Sequence, residues 1–99
     1  MSKNPLEIIA KNDQEFLDHI MQSRDLAFAE GALSAKTKTL MAMALDAAMG
    51  AEAGVGSLAA QALEAGATKE EIMETIRVAG FVSGAHAVFT AAHGLDEIL

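Results

Sequence analysis

Apolar and polar residues recur along this chain with the three-to-four-residue period of amphipathic helices. Between Pro5 and Glu30 the apolar residues include Leu6, Ile9, Phe16, Leu17, Ile20, Met21, Leu26 and Phe28. Phe16, Leu17, Ile20, Met21 and Arg24 share one helical face, with Asp13, Glu15, Asp18 and Gln22 on the other. This predicts a short N-terminal turn and then a longer helix, capped by Asn12 or Asp13 and ended by Gly31. Ser34 is placed to cap a second helix over Ala35–Met49, stopped by Gly50. From Leu40 to Met49 that helix is apolar nearly all round except at Asp46, which predicts burial on most sides, with its methionines as core filler. A third helix is expected over Ala51–Ala65, with Gly66 behind it. Thr68 and Glu71 have the spacing of a capping box, and Glu70 and Glu71 complement the dipole of the helix that follows. There Ile72, Ile76, Ala79 and Val82 or Ser83 form an apolar stripe, with Lys69, Glu70, Glu74 and Arg77 outside it. A last helix is expected from about Ala85 to His93, closed by Gly94. No linker or internal repeat divides the sequence, so residues 1–31 read as an N-terminal helical segment and 32–99 as the helical core of one domain.

Composition supports the helical reading. Of the 99 residues 21 are alanine and one is proline, while tyrosine and tryptophan are absent. Alanine is the best helix former and the strand-favouring aromatics are scarce, so the chain reads as all-α. Alanine-rich helices carry shallow side chains, and a domain this small buries only roughly 60–70% of its unfolded surface. Association with further copies of itself is therefore expected. Fourteen acidic against seven basic residues give a net charge of −7, which argues against a nucleic-acid partner. The sequence offers no secretory signal and no membrane span, so a cytoplasmic protein with no membrane partner is expected.

Candidate chemistry is sparse. With no cysteine, disulfides and thiolate nucleophiles are excluded, and so are cysteine-type zinc and iron–sulfur sites. Gly50, Gly54, Gly56 and Ser57 imitate a phosphate loop, but no lysine follows and no strand precedes them, so close helix packing is the better reading. His86 and His93 are seven residues apart, on one helix face but about 10 Å apart along the axis, too far to share a metal. No cofactor and no metal is expected. His19 lies on a charged helix and should face solvent. Asp46 is the sharper anomaly: a carboxylate in an apolar helix needs a partner, a seam between subunits, or a function.

Leu33–Ala44, Met49-Gly50-Ala51-Glu52 and Ala62-Leu63-Glu64-Ala65-Gly66-Ala67-Thr68-Lys69-Glu70-Glu71-Ile72 resemble the carboxymuconolactone decarboxylase and AhpD-like alkylhydroperoxidase family. Gly80-Phe81-Val82-Ser83-Gly84 resembles that family's small-residue turn before its last helix. The resemblance implies an AhpD-like all-α bundle that associates through helix faces as a homotrimer or homohexamer. Peroxidase members carry C-x-x-C, a histidine and an upstream glutamate, which correspond here to Ala51 and Gly54, Leu58, and Thr39. All four are missing, so no thiol-dependent peroxidase activity is expected. Decarboxylase members place a histidine at the position of His93, which this chain keeps. They place another at Leu58, which it lacks, and His86 stands where the family often has proline.

Two functions follow. In the first, His93, His86 and Asp46 form an acid–base site at a subunit seam, acting on a small carboxylated or lactone-like molecule. In the second, the chain is a non-catalytic oligomeric scaffold or small-ligand-binding module that lost the family's peroxidase chemistry.

Overall fold

A computed structural model describes residues 4–99. Within them the chain forms six helices: α1 (Glu7–Asn12), α2 (Gln14–Phe28), α3 (Ala35–Met49), α4 (Glu52–Glu64), α5 (Lys69–Ser83) and α6 (Ala85–Leu95). The caps are those the sequence suggests. Asp13 accepts from the Phe16 N–H at 3.0 Å and Ser34 Oγ from the Thr37 N–H at 3.1 Å. Thr68 and Glu71 close a reciprocal capping box, at 3.0 Å from the Glu71 N–H and 2.8 Å to the Glu71 carboxylate. Gly50 ends α3 at φ 81°, a left-handed conformation that a side chain would strain.

Two ends differ from the sequence reading. Helix α2 stops at Phe28, before Gly31, because Ala29 turns extended. Helix α6 runs through Gly94 to Leu95. Gly94 is an internal packing residue, and its role is taken up with the site below.

Helices α3–α6 pack as a four-helix bundle in which α3 meets α4, α5 and α6, and α6 also meets α4 and α5. The core is Met43 and Ala47, Val55 and Ala59, Ile72, Ile76 and Ala79, and Ala87, Ala91 and Leu95. Five of these ten are alanines, so the helices approach closely and each buries little bulk. The expectation that α3 is buried on most sides, with its methionines in the core, holds only for Met43. Met41 is 50% exposed, Leu45 62% and Met49 79%. Thr39, Met43 and Ala47 alone are buried, because within one chain only that one stripe of α3 meets the bundle. Helices α1 and α2 bury no residue; they pack on one another, and α2 packs lightly on α3.

Glu71 also ties α5 to α3, through an ion pair with Lys36 at 3.0 Å. The Thr68 backbone N–H and then Lys36 hold its carboxyl below the ordinary value. A depressed carboxyl pKa stabilises the fold above the unfolded-state value, and that contribution is lost as pH falls through the lowered folded value. The melting temperature should therefore drop on acidification, and Glu71→Gln should flatten that part of the profile. A wild-type curve superimposable on the variant's across the carboxylate range would refute this.

Candidate functional site

Helices α4 and α6 cross at a pair of glycines. A Cβ on Gly56 would lie 2.8 Å from the Gly94 carbonyl oxygen, and one on Gly94 would lie 2.6 Å from the Glu52 carbonyl oxygen and 2.8 Å from Val55 Cβ. Neither position has room for a side chain. Beside this crossing lies a groove of about 450 Å³, lined by Glu52, Gly56, His93, Gly94, Asp96 and Glu97 among others. His93 is exposed on the last turn of α6, and Glu52 stands on the first turn of α4. The groove thus sets an imidazole among three carboxylates.

His86, at the start of α6, does something else. Its Nε2 lies 2.9 Å from the Ala48 carbonyl oxygen and 3.2 Å from Ser83 Oγ. Ala48 O is one of the last carbonyls of α3, which the helix itself leaves without donors. His86 therefore caps α3 and fastens α6 to it.

Asp46 is half-buried on α3, against α4. Its carboxylate lies over the Cα of Gly54, in the space a Cβ there would occupy. The absent β-carbon at position 54 is what makes room for an acid in an apolar helix. The family resemblance places the second cysteine of peroxidase members at Gly54, so the Asp46 carboxylate occupies that side chain's seat. Thr39, at the glutamate position, is buried with its hydroxyl donating to the Ala35 carbonyl oxygen at 2.8 Å. Leu58, at the histidine position, packs against the core.

The three residues singled out from the sequence thus stand in three places within one chain. His93 lines the α4–α6 groove, His86 caps α3, and Asp46 rests on Gly54. Among the described residues the ion pair Lys36–Glu71 is the one found, so neither histidine pairs with Asp46. No group of three histidine, aspartate or glutamate side chains among the described residues is arranged to hold a metal ion. His19 is exposed. Sequence reading passed over Glu52, Asp96 and Glu97, which line the groove with His93. Glu52 entered only as part of the Met49-Gly50-Ala51-Glu52 resemblance, and nothing in the sequence couples Gly56 to Gly94 across 38 positions.

The contact of Asp46 with Gly54 gives a direct test. Gly54→Ala gains about 1 kcal/mol of helix propensity but displaces the carboxylate, so alone it should be near neutral or mildly destabilising. In an Asp46→Ala background the overlap is gone and the same change should stabilise. Urea denaturation at fixed protein concentration should give a coupling of about 1 kcal/mol between the two positions. Additivity within about 0.3 kcal/mol would remove Asp46 from this seat.

The family model described as the carboxymuconolactone decarboxylase family matches residues 14–97. Among solved structures, the apo crystal structure of a carboxymuconolactone decarboxylase family protein from Legionella pneumophila is similar, with a TM-score of 0.85 and 31% sequence identity over 92% of this chain and 81% of that one. No curated protein matches the chain. Among the described residues no helix is long and apolar enough to cross a membrane.

Proposed function

This chain belongs to the carboxymuconolactone decarboxylase family, and on that premise we propose that it is a self-associating, non-redox member whose small-molecule site is the groove at His93. The observation that carries this reading is that His93 lines an open groove, while His86 caps α3 and Asp46 lies against Gly54 of α4, outside that groove. The acidic lining from Glu52, Asp96 and Glu97 repels carboxylates, so the ligand is a neutral or cationic polar molecule rather than a carboxylated one. Self-association as a homotrimer or homohexamer in the cytoplasm is part of the proposal. Its support is the apolar surface a single chain leaves open, with Phe81 91% and Val82 78% exposed.

A second reading has its own observation. His93 and Glu52 share the groove, so on a carboxylated lactone the His93 ring could give a proton to the carbon whose bond to the departing carboxylate breaks to release carbon dioxide, while Glu52 orients the ring. This is the acid–base alternative, with lyase chemistry carried by His93 alone among the three candidates.

NMR of the histidine ring signals separates these readings. Titration with a small polyamine or a neutral lactone should shift the His93 signals and leave His86 unmoved. A dicarboxylate that moves His93 at lower concentration than either would overturn the ligand assignment. Carbon dioxide release from a carboxylated lactone, abolished by His93→Ala, would establish the second reading. Sedimentation at micromolar concentration should give a multiple of 10.3 kDa, and a single species at that mass would end the oligomer proposal.

A further inference from the structure

The groove beside the Gly56–Gly94 crossing has apolar lining as well as acidic lining. Ala53 and Ile98 complete it. Ala53 is exposed on the first turn of α4, next to Glu52. Ile98 belongs to the turn that follows α6. Its N–H donates to the Leu95 carbonyl oxygen at 2.9 Å, and the Leu99 N–H donates to the same oxygen at 3.0 Å. Leu95 is buried in the core, and Ile98 packs against that core while staying half-buried. Two hydrogen bonds and a core contact thus make Ile98 a fixed part of the groove wall.

The same order of residues occurs on both walls. On α4 the carboxylate of Glu52 is followed by the methyl of Ala53; on the turn, Asp96 and Glu97 are followed by Ile98. A ligand that is polar throughout suits only half of such a site. A hydroxyl or ammonium laid against the apolar part loses water and gains no partner there. A methylene laid against it leaves water at a gain, because apolar surface is removed on both sides of the contact. The groove volume of about 450 Å³ lies within the roughly 300–1,000 Å³ of small-molecule sites, enough for a short chain and its head group.

We infer that the groove takes an amphipathic amine, with its ammonium among the carboxylates and a hydrocarbon body against Ala53 and Ile98. Ile98, the larger of the two, sets the preference for that body. The inference rests on the His93 site proposed above, and adds the apolar half of its ligand and the residue that selects it.

Propylamine and hexylamine test this, titrated at fixed pH and ionic strength while the His93 ring signals are followed by NMR. Three added methylenes, half covered in an open groove, should lower the dissociation constant about tenfold. In the unaltered protein, nuclear Overhauser contacts should join the hexylamine chain to the Ile98 methyl groups. Ile98→Thr keeps the branched shape but brings a hydroxyl, and should cut the preference to about threefold or less. Propylamine should bind that variant as before. Should the variant fold poorly, the Overhauser contacts in the wild-type protein still decide. Equal affinity for the two amines, or chain contacts that miss Ile98, would overturn the inference and leave the groove as a site for polar ligands. Hexanoate moving His93 at lower concentration than hexylamine would overturn the charge assignment and the inference with it. No His93 response to any amine or to a neutral lactone would overturn both the inference and the site.

Discussion

Gly94→Ala should lower the melting temperature by about 10 °C, the loss that about 2 kcal/mol produces in a domain of this size. Two effects oppose each other. Alanine is favoured over glycine inside a helix by about 1 kcal/mol. Against that, the new methyl would stand 2.6 Å from the Glu52 carbonyl oxygen and 2.8 Å from Val55 Cβ. A backbone oxygen cannot rotate away, so α6 must shift from α4, at an overpacking cost of typically 1–3 kcal/mol or more. Overpacking wins because both obstructing atoms are fixed to the α4 backbone. The same shift would widen the His93 groove, so any ligand shift at His93 should weaken in parallel. Thermal unfolding at fixed protein concentration decides it, and an unchanged or raised melting temperature would mean that the crossing is looser than this geometry requires.

Met43→Ala should cost about 2–5 kcal/mol, a large share of the 5–15 kcal/mol that stabilises a typical domain. Met43 is fully buried and is one of the three largest side chains that are, with Ile72 and Val55. Its neighbours in the core include five alanines, whose single methyl groups cannot swing in to fill the space. The upper half of the range is expected for that reason. Met41→Ala and Met49→Ala, at positions 50% and 79% exposed, should cost far less in a single chain. Chemical denaturation of the three variants checks the ranking. Equal losses at all three would show that the outer methionines are as buried in solution as Met43, as a subunit interface over that face would make them.

How far the sequence speaks depends on the range of the interaction that fixes each feature. The caps at Asp13, Ser34 and Thr68, the stop at Gly50 and the stripe of Ile72, Ile76 and Ala79 rest on contacts within one or two helical turns, and all are legible from residue type and spacing. The helical class follows from the same local terms. Asp46 was recognisable as an anomaly, because an acid in an apolar run is visible locally. What accommodates it, the missing β-carbon of Gly54 on the next helix, was not.

The sequence by itself determined the five longer helices, the family resemblance and the loss of every thiol-based reaction; the N-terminal turn it suggested is the short helix α1. Tertiary structure decided the rest. It made Gly94 a crossing point rather than a helix stop, because the nearness of Glu52 and Val55 depends on two helix axes, and no local propensity encodes that. It turned α3 so that Met43 points inward and Met41 and Met49 outward, although the helix is apolar on both sides. It sent His86 to the end of α3 and left His93 in the groove, since seven residues along α6 carry two similar side chains to different neighbours. Periodicity places a residue on a face of its own helix; only the packing of helices decides what that face meets.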